Sequence, residues 1–135
     1  MVDIDNEKNA FMNHCYITPV DLDTPDRARF RMEGRPALLN PYGMFHGGAL
    51  YALADNAAGY AVHSDGRQHV TQNSSFHFLR NQGGGIVYAE GRVVHRGRLT
   101  SLASVEITAA DGTLLATGEF TFFCITPDGQ TDSEG

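Results

Sequence analysis

The chain has 135 residues, 41% of them hydrophobic and 19% charged, a single-domain length with the composition of a globular protein that needs no disulfide staples. The formal net charge of −6 opposes broad attraction to nucleic acid or to acidic membranes. No apolar run is long enough to span a bilayer, and the acidic start MVDIDNEKNAFMNHC has no signal-peptide core, so a cytoplasmic location is expected.

Residues 1–14 read as a flexible arm or short helix, with a weak apolar element at Phe11 and Met12. CYITPVDL is short and β-branched, and Pro19 suits a strand at a sheet edge. Residues 26–33 alternate Arg27, Arg29, Arg31 and Glu33 against Ala28, Phe30 and Met32, a half-buried strand. A loop rich in Gly, Pro and Asn runs to Phe45. Leu50, Leu53, Ala54, Ala57, Ala58 and Ala61 then form the stripe of a helix, opened by Gly47-Gly48 and closed by Ser64-Asp65-Gly66. The helix is about 22 Å long. Its other faces are also apolar or small, so cover on most sides is expected.

The period then changes to two. Residues 68–80 set Val70, Phe76 and Phe78 on one face before the turn Gly83-Gly84-Gly85, and residues 86–96 form the next strand. Residues 99–110 alternate Ala103, Val105, Ile107 and Ala109 against Ser104, Glu106 and Thr108. Asp111-Gly112 signals a hairpin, and residues 113–125 carry Leu114, Ala116, Phe120, Phe122 and Cys124 on one face. Residues 127–135 are polar and acidic, as in a disordered tail. One long helix cannot cover both faces of about six strands. The expected fold is therefore α+β, a curved antiparallel sheet wrapped around the helix, in one domain over residues 15–126. Outward residues such as Phe123 and Ile125 imply association through the sheet. Cys15 and Cys124 show no metal or CxxC spacing and read as buried reduced thiols.

Asp55 is the anomaly. Its helical neighbours Tyr51, Ala58 and Gly59 cannot neutralise a carboxylate, and a buried unpaired charge is costly. It faces a polar cleft, has a raised pKa, or meets a partner from another chain; the plainer alternative is a solvent-facing strip. Phe45-His46-Gly47-Gly48 is a second feature, because a helix start offers free N–H groups and partial positive charge to an oxyanion. A Gly-Gly turn that only sets the entry angle is the alternative. Gly47 and Asp55 are about 12 Å apart along the axis, so a substrate touching both lies along the helix or across an interface. Arg80, Arg92, Arg96 and Arg98 suit phosphate groups or equally a protected strand edge. His14, His63, His69, His77 and His95 make no HExxH or other metal pattern, and there is no GxSxG, GxGxxG or P-loop.

Asn40-x5-His46-Gly47-Gly48-x6-Asp55, followed by Phe78-Leu79-Arg80 and Arg96-Gly97-Arg98, resembles the hotdog-fold acyl-CoA thioesterases of the phenylacetate-degradation, PaaI-like group. The likeness covers about residues 16–125. It implies a homodimer with sheets joined edge to edge and active sites at the interface, commonly paired into a homotetramer. It further implies Asp55 as general base or nucleophile and the Gly47 N–H as oxyanion donor. Asn40 and His46 would orient the carbonyl and the loop, and Thr71 would hold the attacking water. Gly48 and Phe78 match the binding region, and Arg80, Arg96 and Arg98 are candidates for the nucleotide phosphates of coenzyme A. Asn81-Gln82 departs from the Pro-Ala that relatives often have. The expected activity is hydrolysis of a medium-chain or aromatic acyl-CoA, with coenzyme A as part of the substrate and no separate cofactor or metal. The alternatives are a non-catalytic acyl-CoA or lipid-ligand binding module and a hydratase on the same fold; the latter usually carries an Asp/His pair before the helix, a pattern absent here. Tyr51, Tyr60, Phe76 and Phe78 are candidate pocket walls.

Overall fold

Residues 9–128 are described by a computed structural model of the chain. In chain order they form α1 (Ala10–His14), β1 (Ile17–Asp21), β2 (Arg27–Glu33), a 3₁₀ turn (Pro36–Leu38), α2 (Gly47–His63), β3 (His69–Phe78), β4 (Ile86–Arg96), β5 (Thr100–Ala109) and β6 (Leu114–Cys124). The strands make one antiparallel sheet in the order β1-β2-β4-β5-β6-β3. This is the hotdog arrangement, with α2 laid along the sheet. The Pro19 strand, β1, is an edge as expected, and β3 is the other edge. The expected arm at 1–14 is α1 where it is described. Residues 1–8, and residues 129–135 of the expected tail, lie outside the described residues.

The core is the stripe read from the sequence. Ala49, Leu50, Leu53, Ala54, Ala57, Ala58, Ala61 and Val62 of α2 are buried against Phe30, Met32, Val87, Ala89, Val105, Ile107 and Phe120. Burial of each large side chain contributes about 1.5–3 kcal/mol. The alanines let the helix approach closely. A Cβ on Gly91 of β4 would lie 2.6 Å from the Ala57 carbonyl oxygen, so backbone rests on backbone there. Both cysteines are buried and free. Among the described residues no helix is long and apolar enough to cross a membrane.

Three expectations change. Register shifts at Gln72, Val94 and Leu115 break the simple alternation. A bulge puts two residues opposite one and inverts the faces beyond it. In β3 this separates Val70, paired with the outward Phe123, from Phe76 and Phe78, paired with the inward Gly118 and Ala116. In β6 the buried residue is Leu115 and not Leu114. Finally, α2 is not covered on most sides: the strip Tyr51, Ala52, Asp55, Asn56, Gly59, Tyr60 and His63 borders a groove. Phe123 and Ile125 are exposed as anticipated, together with Val70, Val94 and Leu99.

Candidate active site

The open strip of α2, β3 and α1 enclose a groove of about 1040 Å³. Asn9, the N-cap of α1, donates its amide to Asn56 Oδ1 (3.3 Å) and Tyr60 Oη (3.2 Å), which ties α1 over the far half of the groove. Asp55 sits half-buried between Tyr51 and Gly59 on the wall. Burial raises its pKa above the usual carboxylate range, and a hydrogen bond from Thr71 partly offsets this. Thr71 Oγ1 donates to Asp55 Oδ1 at 2.7 Å. Thr71 points at the helix because it precedes the bulge: its cross-strand partner is the inward Phe122. The structure thus brings Asp55 and Thr71 together, and no charged group of the chain pairs with Asp55 among the described residues.

The helix entry is organised by other residues. His46 is the N-cap of α2 in extended conformation, and its Nδ1 accepts the Gly48 N–H at 2.9 Å. The Gly47 N–H finds no acceptor among the described residues, and the Phe78 ring lies over Gly47. Asn40 Oδ1 accepts the N–H groups of Tyr42 (2.9 Å) and Met44 (3.1 Å), folding the loop that leads to His46. Asn81 Nδ2 donates to the Phe45 carbonyl at 2.8 Å. The departure from Pro-Ala therefore pins the exit of β3 to the start of α2, a role the sequence pattern did not reveal. Tyr51, Phe76 and Phe78 stack edge-on in succession, at 5.6 and 5.0 Å, from beside Asp55 toward Gly47. Of the expected walls, Tyr51 and Tyr60 line the groove and Phe76 and Phe78 do not.

The arginines separate into two kinds. Arg80 is exposed, and Arg98 is exposed with its guanidinium 3.3 Å from Asp128. Arg96 differs from the expectation of a phosphate ligand. Its guanidinium is engaged by Asp65 (2.6 Å), Asp26 (2.7 Å) and the Val62 carbonyl at the end of α2 (3.0 Å). Asp65 also accepts from the Arg67 backbone N–H (2.9 Å) and Nε (2.7 Å). Burial alone would raise the Asp65 pKa, but the Arg67 hydrogen bonds and the Arg96 charge hold it at about 2. Arg67 reaches the carbonyls of Gly97 and Arg98 (2.9 Å each), and His69, buried, faces Asp65 at 3.4 Å. Burial lowers the His69 pKa. In the sequence Asp65 reads only as part of a turn and Arg67 stands out for nothing; the spacing of an acid and two basic side chains, Asp65, Arg67 and His69 at i, i+2 and i+4, was the available signal. No cluster of three or more His, Cys, Asp or Glu set to hold a metal occurs among the described residues.

Three kinds of comparison agree on the fold and the family. The thioesterase superfamily profile matches residues 42–116. A Mycobacterium tuberculosis protein, Rv1847, provisionally named an esterase, is 34% identical over 101 residues, 70% of this chain and 72% of its own length. The Escherichia coli PaaI structure, from the phenylacetic acid degradation operon, superposes with a TM-score of 0.84 at 28% identity, covering 88% of this chain and 86% of that one. Its curated name is acyl-coenzyme A thioesterase. The smu.793 structure of Streptococcus mutans, bound to acetyl CoA, gives a TM-score of 0.76 at 30% identity, over 80% and 87% of the two chains.

Proposed function

The chain belongs to the thioesterase superfamily, and from that premise we propose how it acts. It is a thioester hydrolase of PaaI-like type, with acyl-CoA as its substrate class. We read the acyl group as medium-chain or aromatic, from the aromatic and aliphatic lining of the groove by Tyr51, Tyr60, Met12 and Phe122. The observation that carries the residue assignment is Asp55, half-buried, raised in pKa and held by Thr71 at 2.7 Å. The Thr71 bond occupies Oδ1 and leaves Oδ2 for chemistry.

As general base, Asp55 takes a proton from water as the water oxygen attacks the thioester carbon. The oxyanion collapses, the C–S bond breaks, and the coenzyme A thiolate receives the proton or leaves it to solvent. As nucleophile, Asp55 attacks the thioester carbon and expels the coenzyme A thiolate, and water then hydrolyses the mixed anhydride to the free acid and the restored carboxylate. Either path needs the ionised carboxylate and an oxyanion donor. The Gly47 N–H of the same chain lies about 12 Å along the axis, beyond the reach of one carbonyl group. The donor therefore comes from a second copy, in a homodimer joined at the β3 edges, with a homotetramer formed from two such pairs. Arg80 is exposed, and Arg98 can exchange its exposed Asp128 contact for the nucleotide phosphates. A cytoplasmic site of action fits such a substrate.

Release of free thiol from acetyl, hexanoyl, long-chain, phenylacetyl and hydroxybenzoyl CoA tests the activity and ranks the acyl groups. A folded Asp55→Asn protein is expected to bind these thioesters and not turn them over. Binding without turnover by the parent protein would instead support an acyl-CoA binding module, for which a carboxylate raised in pKa by burial has no use.

A further inference from the structure

The network around Asp65 lies outside the reacting residues, yet it grips each element that delivers Thr71. Arg96 ties the end of β4 to the last turn of α2 through the Val62 carbonyl, and to the entry of β2 through Asp26. Asp26 holds a positive φ of 63°, and its N–H donates to Ser64 Oγ at 3.0 Å. Ser64 Oγ in turn donates to the Ala61 carbonyl at 2.8 Å. Arg67 fastens the β4–β5 turn through Gly97 and Arg98. His69, whose side chain is fully shielded, opens β3 against the same carboxylate. Two residues later, on the same face of the strand, stands Thr71, followed at once by the bulge at Gln72. β3 is an edge strand with β6 as its one neighbour, and the bulge at Gln72 interrupts that ladder directly after Thr71. A 2.7 Å hydrogen bond is lost with a small displacement, and a shift of about 1 Å at a reacting group costs about a hundredfold in rate.

We propose that Asp65, clamped by Arg96 and Arg67, is a positioning residue for the hydrolysis: it seats the start of β3 on the end of α2 so that Thr71 reaches Asp55. Arg96 then serves the reaction from inside the protein and not as a phosphate ligand. The inference rests on the reading of Asp55 as the reactive carboxylate. The other titratable groups facing that part of the groove are Tyr51, Tyr60 and His63 on α2, with His69 and Arg67 from β3 and the turn before it.

The test compares two thioesters with the same acyl group, one of coenzyme A and one of pantetheine, which lacks the nucleotide phosphates. Asp65→Asn and Arg96→Lys should lower kcat about tenfold or more on both, with KM little changed. The acid limb of the kcat profile should move to higher pH, in the direction of Thr71→Ala, because Asp55 loses a bond that favours its charged form. Arg98→Ala should raise KM for the coenzyme A thioester alone. A folded Asp65→Asn with parental kcat and acid limb overturns the proposal. So does an Arg96→Lys defect confined to the coenzyme A thioester. If Asp65→Asn does not fold, Asp65→Glu, which keeps the charge but displaces the contacts, carries the same comparison. Turnover surviving in Asp55→Asn would sink the underlying reading separately, whatever the Asp65 variants do.

Discussion

The two ends of α2 are built on opposite plans. At the C-terminal end the Val62 and Ala61 carbonyls are taken by Arg96 and Ser64, and Arg96 is itself shared by two aspartates. At the N-terminal end the Gly48 N–H is capped by His46, while the Gly47 N–H is open and bordered by a single aromatic ring. One end is saturated with partners; the other keeps a donor in reserve. Asp55 lies between them, held by a hydroxyl from the strand that the saturated end anchors. The helix thus has one end fixed by its neighbours and one end with a donor unspent, and its mid-point carboxylate lies between them.

The largest expected break is at the carboxylate itself. Asp55→Ala or Asp55→Asn should lower kcat by about 10²–10³-fold or more, measured by thiol release. The same Asp55→Asn change should raise thermal stability by about 1 kcal/mol at neutral pH. The sign follows from a folded pKa above the unfolded one: the fold favours the protonated form, so the cost of the charge is absent below the unfolded pKa and complete above the folded one. The gain should vanish in acid melts.

The open end comes next. Gly47→Pro removes the free N–H and suits the first helical position. His46 before it already has φ −64° and ψ 136°, the extended conformation that a following proline requires. The protein should fold with its helix intact and lose about 10²–10³-fold in kcat. At the saturated end, Asp65 is held at about 2, below its unfolded value. Its contribution to stability is present above about pH 4 and lost as pH falls toward about 2. Asp65→Asn should flatten that part of an acid-unfolding curve, followed by circular dichroism. The smallest effect is expected from Arg98→Ala, a severalfold rise in KM that fades at high salt because the side chain is exposed.

The sequence made the frame legible where periodicity was strong. The α2 stripe, the alternating strands 26–33 and 99–110, and the Asp111-Gly112 turn were plain, and Gly112 indeed holds φ +90°. Bulges hid the rest. A single extra residue at Gln72 turns Val70 outward and Thr71 inward, and no local pattern announces it. Asp55 could be singled out because a carboxylate among small apolar residues is physically awkward. Its partner Thr71 rested on resemblance, since a threonine in a strand is ordinary. Arg96 misled for a related reason: an arginine beside a glycine looks available until the aspartates at 26 and 65, distant in sequence, close on it. Asn81 was noticed only as a departure, because its acceptor, the Phe45 carbonyl, is a backbone group with no sequence signature.

In the proposed mechanism, Asp55 of one protomer works on a carbonyl held by Gly47 of another. Mixing the two inactive proteins, Asp55→Asn and Gly47→Pro, after co-refolding tests it most directly. Random pairing gives about half heterodimers, each with one site intact, so thiol release should return to about a quarter of the parental rate. A mixture that stays as inactive as its components, with heterodimers demonstrated by mass spectrometry, would rule out a site shared between protomers.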